Sequence, residues 1–197
     1  MKNSKFWIWF IPLILIITIG IYFGLVKANQ NNNSNNNNNN NKSDATRIKE
    51  EYSNKNDYYK VSLNDSNVYK YISVEELKEL LDKKDGLVFI GNPNDNISRK
   101  AISALNDVVL STSIPEVYYI DINNVNEQLK STILDKAKIS NINSGTLISI
   151  ESGNILKVYY PRDVLNNNEL SDSEKQSLYD IYKKIVNNFI EECDENC

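Results

Sequence analysis

The residues of this 197-residue chain that could do chemistry are few: Asp95 and Ser98 near a helix start, and Cys193 with Cys197 at the far end. Asp95 and Ser98 belong to the run Gly86-Leu-Val-Phe-Ile-Gly-Asn-Pro-Asn-Asp-Asn-Ile-Ser-Arg-Lys100, which reads as a buried strand, a Gly/Pro/Asn turn and a new helix. A strand-turn-helix junction sets backbone N–H groups and the positive end of a helix dipole beside the side chain at the helix start, which is a reactive-site layout. The residues in it are not reactive ones. Asp95 suits the N-cap, its oxygen accepting the N–H of Ser98 and its charge meeting the dipole, for about 1 kcal/mol. The chain has no histidine, which removes the commonest general base and the commonest metal ligand together. With only two cysteines, zinc and triad chemistry are not expected, and neither a metal nor a cofactor is implied.

The cysteine pair admits three readings. A four-residue helical step separates Cα atoms by about 6 Å, inside the range a disulfide spans. Outside a membrane thiols tend to be oxidised, so a local Cys193–Cys197 disulfide stapling the C-terminus is the first reading. The second is that Cys193 only extends an apolar helix stripe and Cys197 is a loose end. The third is that the pair is itself a redox couple serving another anchored oxidoreductase.

The elements that must position these residues begin well down the chain. Phe6 to Val26 is an uncharged run of 21 residues, enough at about 1.5 Å per residue to cross a hydrocarbon layer of roughly 30 Å. Lys2, Lys5 and the α-amino group precede it and only Lys27 follows closely, so the positive-inside bias puts the N-terminus in the cytoplasm and the rest outside. Residues 1–28 are therefore read as a membrane anchor. The alternative is a signal peptide cleaved after Val26-Lys27-Ala28, which would leave a secreted protein. No cysteine stands directly behind the run to take a lipid. Asn29 to Asn41 is almost pure asparagine, lacking the apolar surface that offsets ordering entropy, and residues 29–60 are read as a flexible linker and lead-in.

Residues 61–197 carry the pattern of one α/β domain. From Arg47 onward there are 18 basic and 25 acidic residues, a balance of −7, and no basic cluster with interleaved aromatics, so nucleic acid is not an expected partner. Ser73-Val-Glu-Glu76 is a capping box with Val74, Leu77, Leu80 and Leu81 on one face behind it. Leu87 to Ile90 is a buried strand, and Ile97, Ala101, Ala104, Leu105 and Val108 make a helix running to about Leu110. Val117 to Asp121 is a strand, and Leu129, Ile133 and Ala137 mark a helix. Thr146 to Ile150 and Ile155 to Tyr160 form a hairpin about Ser152-Gly153-Asn154. A second capping box, Ser171-Asp-Ser-Glu174, opens a helix whose stripe is Leu178, Ile181, Tyr182, Ile185, Val186, Phe189 and Ile190.

The order β-α-β-α-β-α-β-β-α, from Val68 to the C-terminus, resembles the thioredoxin-fold domains of membrane-anchored thioredoxin-like, or bacteriocin-transport accessory, proteins of low-GC Gram-positive bacteria. Gly91-Asn-Pro93 followed by Ser98-Arg-Lys100 is similar to that family's Gly-x-Pro-x-Cys-x-x-Cys-Arg-Lys run. Tyr118-Tyr-Ile-Asp121 resembles its next strand, and Gly145-Thr146 stands where a cis-Pro-Thr pair lies. The resemblance implies a thioredoxin-like fold, a central mixed sheet flanked by helices, with degenerate dithiol positions at Asp95 and Ser98. Phe89 also stands where many such proteins carry a buried acidic residue. Disulfide exchange needs a thiolate and a resolving thiol, which carboxylate and hydroxyl cannot replace.

The expected function is that of an extracytoplasmic accessory module working by binding a protein or peptide. Its groove is expected between Pro93, Asn94, Asn96 and Ile97 on one side and Gly145 and Thr146 on the other, where a free strand edge beside the turn would pair with an extended peptide. The alternative is a thiol-disulfide oxidoreductase acting through Cys193 and Cys197; some members of the family carry a similar C-terminal pair. The anchor reading predicts that the intact chain stays in the membrane fraction after carbonate extraction and that protease added to wall-stripped cells removes the domain. A mature N-terminus at Asn29 with the protein in the medium would show the cleaved form instead.

Overall fold

Leu87, Val88, Phe89 and Ile90 are apolar on both sides of their strand, and such a strand needs cover on both faces. The computed structural model describes residues 42–53, 58–112, 114–163, 165 and 170–196, apart from the side chains of Asp163 and of 192–196. In it this segment is β2 (Gly86–Gly91), the middle of a five-stranded mixed sheet and buried along its whole length. The sheet order is β1 (Tyr69–Tyr71), β3 (Val117–Asp121), β2, β4 (Thr146–Glu151), β5 (Asn154–Tyr159). β1, β3 and β2 run parallel, and β4 and β5 antiparallel to their neighbours.

Helices cover both faces, since strand residues alternate in direction. Leu87, Phe89, Tyr119 and Leu147 point to one side, where α3 (Asn96–Leu110) and α5 (Asp172–Asn196) pack through Ala101, Ile102, Leu105, Leu178, Tyr182 and Val186. Val88, Ile90, Ile120, Ile148 and Ile150 point to the other, against α2 (Val74–Lys83) and α4 (Glu127–Ala137). Both capping boxes form. Ser73 exchanges bonds with the Glu76 backbone and carboxylate, and Ser171 does the same with Glu174. The hairpin between β4 and β5 turns on Ser152 (φ 48°) and Gly153 (φ 78°), two successive positive φ values that match the twist of the flanking strands. A Cβ on Gly153 would lie 2.3 Å from the Asp82 carbonyl carbon, so this turn can lie against the end of α2 only with glycine there.

One element lies where the sequence reading left a lead-in. α1 (Asp44–Ser53) is a helix whose Ile48 and Tyr52 are wholly buried in the α3–α5 side of the core. Ser43 starts it, its hydroxyl accepting the Thr46 N–H at 3.2 Å. Asp44 then reaches the outer edge of the sheet, where its carboxylate accepts the Tyr71 N–H at 3.1 Å. The folded unit thus begins near Lys42 rather than at Val61. The asparagine tract in front of it hid the i, i+4 pair of Ile48 and Tyr52. The run Phe6 to Val26, the tract Asn29 to Asn41 and Cys197 lie outside the described residues. Among the described residues no helix is long and apolar enough to cross a membrane.

Burial of one large apolar side chain is worth about 1.5–3 kcal/mol. Deleting residues 42–53 is therefore expected to lower unfolding free energy by at least about 3 kcal/mol, read as a fall in the urea midpoint. An unchanged midpoint would show that α1 is not part of the folded unit.

Candidate functional site

The junction after β2 is built around a residue with no side chain. A Cβ on Gly91 would lie 2.3 Å from a Tyr119 ring carbon and 2.6 Å from the Tyr52 hydroxyl, so glycine is what lets the two rings close over the strand end. Asn92 then folds the loop back, its amide oxygen accepting the Asn94 N–H at 2.8 Å and its carbonyl the Asp95 N–H at 3.2 Å. Asp95 is the N-cap of α3 and accepts the Ser98 N–H at 2.9 Å. The same carboxylate oxygen accepts the Ser144 hydroxyl. That bond ties the helix start to the loop before β4.

Ser98 is fully buried. Its Oγ accepts the Asn92 N–H at 2.8 Å and shares a hydrogen bond of 3.0 Å with the Tyr52 hydroxyl, which in turn lies 3.3 Å from that of Tyr119. Burial, above all other causes, pushes Tyr52 and Tyr119 far above the ordinary tyrosine value. Neither ionises near neutrality, so neither serves Ser98 as a base. Asp95 bonds the Ser98 backbone N–H. The Ser98 hydroxyl thus links α1 to the loop directly and to β3 through Tyr52, and among the described residues no base is bonded to it to make it a nucleophile.

Arg99 is also fully buried. It donates through Nε to the Tyr59 carbonyl at 2.6 Å, through Nη1 to that of Pro93 at 3.0 Å and through Nη2 to that of Tyr52. The rings of Tyr52 and Tyr58 lie 5.7 and 6.0 Å from its guanidinium carbon. Burial draws its pKa down, but a guanidinium keeps its proton in proteins. Lys100, 2 % exposed, sets its ammonium 5.7 Å from the Tyr59 ring centre.

The structure brings together most of the residues that sequence reasoning singled out. Gly145, at φ +90°, lies against the first turn of α3: a Cβ there would be 3.2 Å from the Ser98 Cα and 3.4 Å from an Ile97 methyl carbon. The space between Pro93–Ile97 and Gly145–Thr146 is accordingly filled. Pro93, Gly145 and Thr146 are buried, while Asn94 is exposed and Asn96 and Ile97 are half-buried. The free strand edge expected beside the turn is absent, because β5 returns along one side of β4 and β2 occupies the other. The Gly145 N–H is likewise spent on the Ile90 carbonyl at 2.7 Å.

Tyr52, Tyr59, Ser144 and the buried state of Arg99 were not foreseen. The Ile48-to-Tyr52 spacing was the one local signal for α1. Cys193 lies in the last turn of α5 by its backbone, and its pairing with Cys197 lies outside the described residues. Among the described residues no group of three or more His, Cys, Asp or Glu is placed to hold a metal ion. Comparison of the chain with protein-family models, with curated proteins and with solved structures finds no match.

Asp95→Ala is expected to cost about 0.5–2 kcal/mol, the usual loss of an N-cap. Arg99→Met, which orphans three carbonyls, two of them in buried bonds, is expected to cost more, about 3 kcal/mol. Urea midpoints check the order: equal midpoints for the two variants would remove Arg99 from its central place.

Proposed function

We propose that this chain is a membrane-anchored, extracytoplasmic thioredoxin-like protein without the dithiol, which acts as an accessory module by binding a protein or peptide. The observation that carries the reading is the state of the α3 start. The two positions that match the family's cysteines hold a capping carboxylate and a buried hydroxyl. Both are engaged in holding the fold. The five-stranded mixed sheet with helices on both faces and the strand-turn-helix junction at Gly91–Ser98 support the fold name. The apolar run Phe6 to Val26 and the lysines before it support the anchored, outward-facing topology.

Binding in this reading does not use a strand edge. The surface left at the junction is one of side chains: Asn94, the half-buried Asn92, Asn96 and Ile97, and Ser144 across the Asp95 bridge. Amides around one aliphatic side chain suit hydrogen bonding to a polar peptide segment. A photo-crosslinking residue at position 94 of the full-length chain in its own membrane is expected to give a discrete adduct with an extracytoplasmic protein. The same residue at position 110, half-exposed at the opposite end of α3 and roughly 20 Å along the helix, is expected to give none. The same adducts from both positions would reject the junction as the binding surface.

The second reading, a thiol-disulfide oxidoreductase, is favoured by α5 carrying Cys193 in its last turn, four residues before Cys197 in the sequence. Insulin reduction by the full-length chain that disappears in Cys193→Ser with Cys197→Ser would raise it above the binding reading.

A further inference from the structure

The sheet ends at β5, and between this edge strand and α5 lies an open cleft of about 490 Å³. Its origin is in the register. Leu147 and Tyr159 pair across β4 and β5 on the α5 side, and the next pair on that side is Ser149 with Lys157, where the core pattern calls for apolar residues. A bulge follows, because Ile150 pairs with Ile155 and leaves Leu156 as the extra residue, 39 % exposed. A polar pair and a bulge leave the outer part of α5 standing off the strand. Ile181, Ile185 and Phe189 of α5 line the cleft opposite Leu156 and Tyr159. Lys184 stands beside them on the helix and Lys157 on the strand, and neither forms an ion pair with a described residue.

A lysine on an edge strand has a plain use, since it discourages pairing with another chain. That use needs Lys157 alone. It does not account for a second ammonium brought to the same apolar cleft from a different element, in a domain whose balance is −7 from Arg47 onward. Two ammonium groups lining one cleft favour an anion there over a neutral or cationic ligand. The volume falls within the roughly 300–1,000 Å³ of small-molecule clefts, and the lining is apolar with a few convergent polar groups, as such clefts are.

We propose that the cleft between β5 and α5 binds a small anionic amphiphile, a carboxylate on a linear apolar tail, with Lys157 and Lys184 meeting the carboxylate and Leu156, Ile181, Ile185 and Phe189 the tail. The site lies apart from the α3 junction and stands whether or not the binding reading of that junction holds.

The test uses the full-length chain in zwitterionic nanodiscs and a photoreactive decanoate analogue, with the labelled residues mapped by peptide sequencing. Labelling is expected to concentrate on residues 156–159 and 181–189 and to be displaced by decanoate but not by acetate or decanol. Lys157→Gln with Lys184→Gln, both at exposed positions, is expected to lower labelling there about tenfold, the loss of two partly screened ion pairs. Leu156→Asn is expected to lower it with the lysines intact. Labelling that is spread over the surface, that survives the double lysine change, that decanol displaces as well as decanoate, or that only an acidic peptide displaces would overturn the proposal. Circular dichroism of the variants should match that of the parent chain.

Discussion

The structure around the α3 junction depends on one buried cation. Among the described residues no carboxylate accepts a hydrogen bond from Arg99; three backbone carbonyls, from Tyr52, Tyr59 and Pro93, do. A charge moved out of water must recover its hydration from fixed dipoles, and these three come from three different stretches of chain. Tyr52 lies in the last turn of α1, where the helix dipole presents partial negative charge. Each stretch holds the guanidinium, and the guanidinium holds each stretch. This makes Tyr52 and Tyr59 part of the domain, although nothing in the composition around them marks them as core.

The hydroxyl cluster follows from that placement. Once α1 is fixed, Tyr52 enters above Gly91 and meets Tyr119 and Ser98, and the rings of Tyr52 and Tyr119 contact edge to face at 6.1 Å. A side chain at position 91 would expel them. Around this helix start three backbone donors are met internally: Ser98 N–H by Asp95, Asn92 N–H by the Ser98 hydroxyl and Gly145 N–H by the Ile90 carbonyl. What such a place offers a partner is its side-chain surface. That is the physical reason for a binding reading at the junction rather than a catalytic one.

Much of the fold was legible because its signals are local. Both capping boxes, the Val117–Asp121 strand, the helix ending at Leu110 and the two-residue hairpin turn are each set by residues within a few positions of one another. The Asp95 cap was legible for the same reason, being an i to i+3 contact. What was not legible is long-range. The Tyr52 and Ser98 hydroxyls are 46 residues apart, Arg99 and the Tyr52 carbonyl 47, and Asp95 and Ser144 49. The expected open strand edge failed on the same ground, since whether β4 is paired on both sides depends on how the hairpin docks and not on the residues near Gly145.

The two edges of the sheet are treated differently, and this bears on where the molecule can meet others. At β1 the edge is engaged from within: α1 lies over it and Asp44 takes the Tyr71 N–H. At β5 no described strand pairs with the outer side, and the protection is of another kind, a bulge and a lysine on the edge strand. The first device spends polar groups on each other and leaves little to bind with. The second leaves an apolar wall on α5 unclosed and puts cations at its rim. Accessible apolar surface with a charge preference therefore collects at the β5–α5 side, while the α3 junction keeps a polar, amide-rich surface. The two proposed surfaces therefore differ in the chemistry they present.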